Sequence, residues 1–114
     1  KKDYIFVTDV CRAIIFLIKS NAEGIFNVGS GKSFLSKDLM SMILQQYASN
    51  IVIDHTENNK SQDFSLNIDK IFNASGWKPN ISIWDGITML LQEEKFKNPA
   101  TFSNFTKTIR SFYK

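Results

Sequence analysis

Residues 10–19 are almost wholly apolar, and Val10, Cys11, Ile14, Ile15, Leu17 and Ile18 leave little polar surface. The spacing predicts a helix buried on more than one side, opened by Thr8 or Asp9 as N-cap. Residues 4–7 before it are aromatic and β-branched, and residues 25–28 after it are short and apolar. Both read as strands, in an order that permits a right-handed parallel crossover. Ser36 is placed to open a helix running to about Ala48, with Leu35 and Met40 spaced as a hydrophobic staple. Residues 51–54 read as a third strand. Residues 55–63 are polar and unpatterned, and are expected to form a surface loop.

The stretch 64–87 carries the densest local signal. Asn67 fits an N-cap, residues 68–75 a short helix, and Gly76 the left-handed residue that ends it, with Trp77 expected to fold back on Phe72 in a Schellman-type closure. Pro79 forbids continuation. Ser82, followed three residues later by Asp85, resembles a capping box opening a helix with Ile83, Ile87, Leu90 and Leu91 on its apolar face.

This stretch resembles the C-terminal signature of the extended short-chain dehydrogenase/reductase family, the NAD-dependent nucleotide-sugar epimerases and dehydratases, which reads D-x-S-K-x-x-x-x-L-G-W-x-P and then L-x-x-G-I. Lys2-Asp-Tyr-Ile-Phe-Val-Thr-Asp-Val10 is similar to the family's R-D-[FY]-x-Y-V-x-D-V, and Gly24-Ile-Phe-Asn-Val-Gly-Ser-Gly31 to its G-x-Y-N-[IV]-G-x-G. The matches run in the family's order over roughly residues 2–94. The family's glycine-rich dinucleotide fingerprint is absent, and Tyr4, Tyr47 and Tyr113 are not followed by lysine four positions on, so its catalytic Tyr-x-x-x-Lys is absent too. Because the chain opens on Lys1, already inside a motif, the expectation is a fragment.

The resemblance implies an α/β fold, the small C-terminal lobe of such an enzyme, with short strands alternating with helices and a C-terminal amphipathic helix. Residues 1–95 would be the substrate-binding region and residues 96–114 a basic helical tail. The implied ligand is a nucleotide sugar. The implied partner is a missing Rossmann domain carrying NAD(P), this chain itself holding no cofactor, metal or catalytic residue. The family's R-x-x-D, which helps hold the nucleotide, falls on Lys60 and Asp63, and Lys2 stands where the family has a nucleotide-contacting arginine. Lysine keeps the charge but loses the planar bidentate fork. The alternative is a noncatalytic, self-associating module, since removing a Rossmann domain uncovers apolar surface that another copy would cover, giving a homo-oligomer.

Composition adds boundaries. At 114 residues, 43% hydrophobic and 22% charged, the chain suits one globular unit without disulfides. Its single cysteine, Cys11, lies in the apolar helix and is expected to be buried and reduced. His55 is the only histidine, so neither a zinc site nor a triad can be built on it. Glu93 and Glu94 read as solvated. Gly29-Ser-Gly-Lys32 is not a phosphate loop, because position 26, where the first glycine belongs, is Phe. The longest apolar run, residues 13–18, is short of a membrane span, and a cytoplasmic location is expected. Lys95, Lys97, Lys107, Arg110 and Lys114, with no acid among them, account for the net charge of +3. Phe102, Phe105, Ile109 and Phe112 make an aromatic stripe in this tail, expected to dock on the protein itself or a sister subunit. A membrane surface or nucleic acid is the lesser alternative.

Overall fold

The computed structural model describes residues 1–47 and 62–97. The strand expected at 51–54, most of the polar loop with His55 and Lys60, and the tail from 98 onward lie outside the described residues. The elements are β1 (Lys2–Asp3), α1 (Val7–Lys19), β2 (Ser33–Phe34), α2 (Ser36–Tyr47), α3 (Asp69–Ser75) and α4 (Ile83–Lys97). The chain is therefore mixed α/β: α1 packs on α3, α2 on α4, and β1 pairs antiparallel with β2, Lys2 opposite Phe34 and Asp3 opposite Ser33.

Two predicted strands are not formed. Residues 4–6 follow β1 without ladder partners, and α1 begins at Val7, three residues before the predicted start, with Phe6 as an extended N-cap whose carbonyl accepts the Asp9 N–H at 3.0 Å. Residues 25–28 are likewise not a strand. Phe26 and Val28 pack on the core while Ile25 is 87% exposed. The segment is held by side chains, the Lys70 ammonium donating to the Ile25 carbonyl at 2.7 Å and lying 4.9 Å from the Phe26 ring centre. Aromatic and β-branched composition marks a half-buried surface, not a ladder partner. The only sheet among the described residues is antiparallel, so no parallel crossover is made there.

α1 is buried on one side only. Asp9 and Ala13 are its buried residues, Phe16 and Leu17 pack on the core, and Val7, Ile14, Ile15 and Ile18 are exposed. Cys11 shares that open face and is exposed, against expectation. A six-residue apolar run has two faces, and among the described elements α3 packs on one of them.

The core beneath α1 consists of Ala13, Ile71 and Trp77, each 0% exposed, with Ile5, Phe16, Leu17, Phe26, Val28 and Ile68 around it. α3 ends as its sequence requires. Gly76 takes φ 75° and donates its N–H to the Phe72 carbonyl at 2.7 Å, the simpler left-handed cap in place of the Schellman pair. Trp77 does not fold back on Phe72, which is half exposed, but turns inward onto Ile71 and Ala13. Asn67 caps the segment one step early, its Oδ1 accepting from the Asp69 N–H at 2.9 Å. Nothing lies within 4 Å of a Cβ placed on Gly76, so its cost is backbone strain alone. Gly76→Ala is expected to lower stability by about 1 kcal/mol, and Gly76→Asn by less, in urea unfolding.

α4 opens as predicted. The Ser82 hydroxyl accepts from the Asp85 N–H at 3.0 Å and donates to the Asp85 carboxylate at 2.7 Å. Ile87 and Leu91 are buried and Leu90 is not, so the packed stripe is narrower than the apolar spacing suggested. Met40 of α2 is buried, and α2 meets α4 through the Gln46 amide, which accepts from the Thr88 hydroxyl at 2.6 Å. Gly86 lets Phe6 lie against the helix: a Cβ there would stand 2.9 Å from the Phe6 ring.

Candidate functional site

Two aspartates of the first motif each hold a loop. Asp3 projects from β1 into the turn at residues 29–31. Its Oδ1 accepts from the Ser30 N–H at 2.8 Å and the Ser30 hydroxyl at 2.6 Å, and its Oδ2 accepts from the N–H groups of Gly31 at 3.0 Å and Leu66 at 3.1 Å. Partial burial works to raise its pKa, but the hydrogen bonds from the Ser30 hydroxyl and from the backbone of Leu66, Ser30 and Gly31 outweigh this, and its pKa lies below the ordinary 3.8. A depressed carboxylate stabilises the fold fully above its unfolded value, and that contribution is lost as pH falls through the folded one. Stability is therefore expected to drop as acid is added below about pH 4, the ordinary carboxylate range. Asp3→Asn, which keeps one acceptor and turns an N–H₂ toward donors, should cost about 2 kcal/mol at pH 7 and flatten that acid limb in urea titrations.

Asp9 does the same for the α3–α4 connection. It is 0% exposed, and its Oδ2 accepts from the N–H groups of Asn80 at 3.0 Å and Ile81 at 2.9 Å, while Oδ1 accepts from Arg12 at 2.8 Å. Its own carbonyl accepts from the Trp77 indole at 3.1 Å. A helix-start aspartate is thus spent on a neighbouring loop, and α1 has no side-chain cap.

Between these pinned loops lies a cleft of about 410 Å³, with Tyr4, Ser30, Lys32 and Phe34 on one wall and residues 78–83 on the other. Tyr4 is tethered through its hydroxyl to Ser36 at 3.1 Å. Among the described residues that line the cleft none is acidic, though the Asp85 carboxylate accepts from the lining Ser82, while Lys32 and Lys78 both line it. Among the described residues neither ammonium has an ion-pair partner. Lys32 and Lys78 with Tyr4 and Phe34 give the cleft a basic, partly aromatic lining suited to an anion.

Of the three residues singled out in the sequence, two are described. Lys2 is exposed on β1, opposite Phe34 in the ladder, and is not among the described residues that line the cleft. Asp63 is exposed and lies beside the Phe64 N–H, which donates to the Lys1 carbonyl at 3.2 Å. The structure thus brings Asp63 next to the start of β1. Lys60 lies outside the described residues. The sequence marks Lys32 only as the end of a phosphate-loop pattern that fails at Phe26, and gives Lys78 no signal, because a lysine in a short polar loop carries no local pattern.

A dinucleotide does not fit the glycine turn. The Ser30 and Gly31 amides, the groups that would face a pyrophosphate, are already bonded to Asp3.

No family model matches the chain. Over 100 residues it is 29% identical to a dTDP-4-dehydro-6-deoxyglucose reductase of Escherichia coli, covering 85% of this chain and 32% of that protein. The structure is similar to that of RMD from Pseudomonas aeruginosa complexed with NADPH, with a TM-score of 0.67 and 21% identity over 75% of this chain and 29% of the other. The chain shares its fold with part of that NADPH-bound protein. Both similarities agree with the extended short-chain dehydrogenase resemblance of its motifs. The chain spans about a third of the length of the curated relative it matches. No helix among the described residues is long and apolar enough to cross a membrane.

Proposed function

We propose that this chain is the C-terminal, substrate-binding part of an NAD(P)-dependent nucleotide-sugar enzyme, and that it binds the nucleotide sugar while the cofactor and the catalytic Tyr/Lys pair come from a Rossmann part. The observation that carries the reading is the match to a nucleotide-sugar reductase over most of the chain, in a region that presents a cleft lined by Lys32 and Lys78. The named relative makes reduction, not epimerisation or dehydration, the better-supported chemistry. Lys2, Lys60 and Asp63 would hold the nucleotide end. The cofactor would supply hydride transfer, and this chain positioning alone. In saturation-transfer NMR the purified chain should bind a dTDP-, UDP- or GDP-linked sugar and consume no NADPH. Absence of binding to all three, or turnover by the chain alone, would overturn the proposal.

The open face of α1 favours a second reading. Val7, Cys11, Ile14 and Ile18 recur at spacings of four, three and four and are all exposed, the pattern of a helix seam without its partner. A self-associating module would cover this face with another copy. Light scattering decides: a dimer that Ile14→Glu dissolves supports it, and a monodisperse monomer at high concentration eliminates it.

A further inference from the structure

We infer that Arg12 is a positioning residue for the cleft: from behind, its guanidinium sets the course of residues 78–80, which form part of one wall. Lys78, Pro79 and Asn80 line the cleft and Arg12 does not. The inference rests on the nucleotide-sugar reading for what the cleft receives, and concerns a residue that acts only through its neighbours.

The clamp is written on one face of α1. Asp9, Arg12 and Phe16 follow at spacings of three and four, so their side chains stack along the helix. The guanidinium donates to the Asp9 carboxylate at 2.8 Å and lies 5.6 Å from the Phe16 ring centre, an arrangement that fixes its plane. It also donates to the Lys78 carbonyl at 3.4 Å. The Asn80 amide turns its oxygen to Arg12 and accepts from Nη2 at 3.1 Å and Nη1 at 3.3 Å, because the opposite orientation would set donors against donors. Pro79, between them, has no N–H to anchor the segment. Asp9 meanwhile takes the Asn80 and Ile81 N–H groups at 3.0 and 2.9 Å. The wall is thus gripped from both sides: the carboxylate receives its donors, and the guanidinium supplies its acceptors. A planar fork serves Asp9, Lys78 and Asn80 at once, whereas the compact ammonium of a lysine keeps the charge and loses that geometry. The Arg12 side chain is 33% exposed and stands outside the core of Ala13, Ile71 and Trp77, so its loss falls on the wall before the core.

The test sets Arg12→Lys beside Arg12→Met in the whole 114-residue chain. Lysine keeps a charge opposite Asp9, so Arg12→Lys should melt within about 4 °C of the unaltered chain, and Arg12→Met lower. An arginine that only neutralised Asp9 would be replaced by lysine without further effect. Positioning predicts a split: Arg12→Lys, though stable, shifts the NMR signals of residues 78–81 and raises Kd about tenfold for whichever of a dTDP-, UDP- and GDP-linked sugar binds the unaltered chain. Unchanged signals and Kd in Arg12→Lys overturn the inference, as does a melting loss equal to that of Arg12→Met. If a sugar binds all three proteins equally, the nucleotide-sugar reading stands and this inference falls. If no sugar binds the unaltered chain, that reading falls, and the signals of residues 78–81 in Arg12→Lys decide the inference by themselves.

Discussion

Asp9→Asn is expected to cost about 3–5 kcal/mol, enough to unfold much of a marginally stable domain. The carboxylate is wholly buried and accepts from two backbone amides and one guanidinium. Asparagine offers a single oxygen, so at least one buried N–H loses its acceptor, and Arg12 loses its counter-charge. Arg12→Met should cost less, because Arg12 is a third exposed and Asp9 keeps both amides. Guanidinium unfolding followed by circular dichroism measures both. A loss below about 1 kcal/mol for Asp9→Asn would show that the α3–α4 connection is held by something other than this carboxylate.

Trp77→Ala should match that effect, at about 3–5 kcal/mol, since it empties the centre of the core. Trp77→Phe separates the contributions: it keeps most of the apolar volume and loses the indole donor to the Asp9 carbonyl, at about 1–2 kcal/mol. Phe72→Ala is the informative control. If Trp77 packed on Phe72, as the helix-end pattern suggests, the alanine would be costly; with Phe72 half exposed, thermal unfolding should shift little. Comparable losses at positions 72 and 77 would contradict the inward packing.

The two sites are coupled through Asp9, whose backbone holds Trp77 and whose side chain holds the loop that forms one cleft wall. Core and cleft therefore share one residue. A substitution there is expected to be read both in stability and in anion binding.

What the linear sequence determined is local. The left-handed stop at Gly76, the exclusion of helix at Pro79 and the Ser82/Asp85 start of α4 are all realised, because caps and breakers act within a turn of the chain. The order of motifs also pointed to the fold that the structural similarity supports. Tertiary contacts decided the rest. Hydrophobic residues at 4–7 and 25–28 did not become strands because a strand needs a ladder partner, and partners are chosen by the whole chain. One face of α1, with Cys11, is exposed because, among the described elements, α3 packs on the other. Lys32 and Lys78, far apart in the sequence, line one cleft whose loops Asp3 and Asp9 hold in place. Hydrogen bonds between residues dozens of positions apart leave no periodicity to read; they exist only once the backbone has closed on itself.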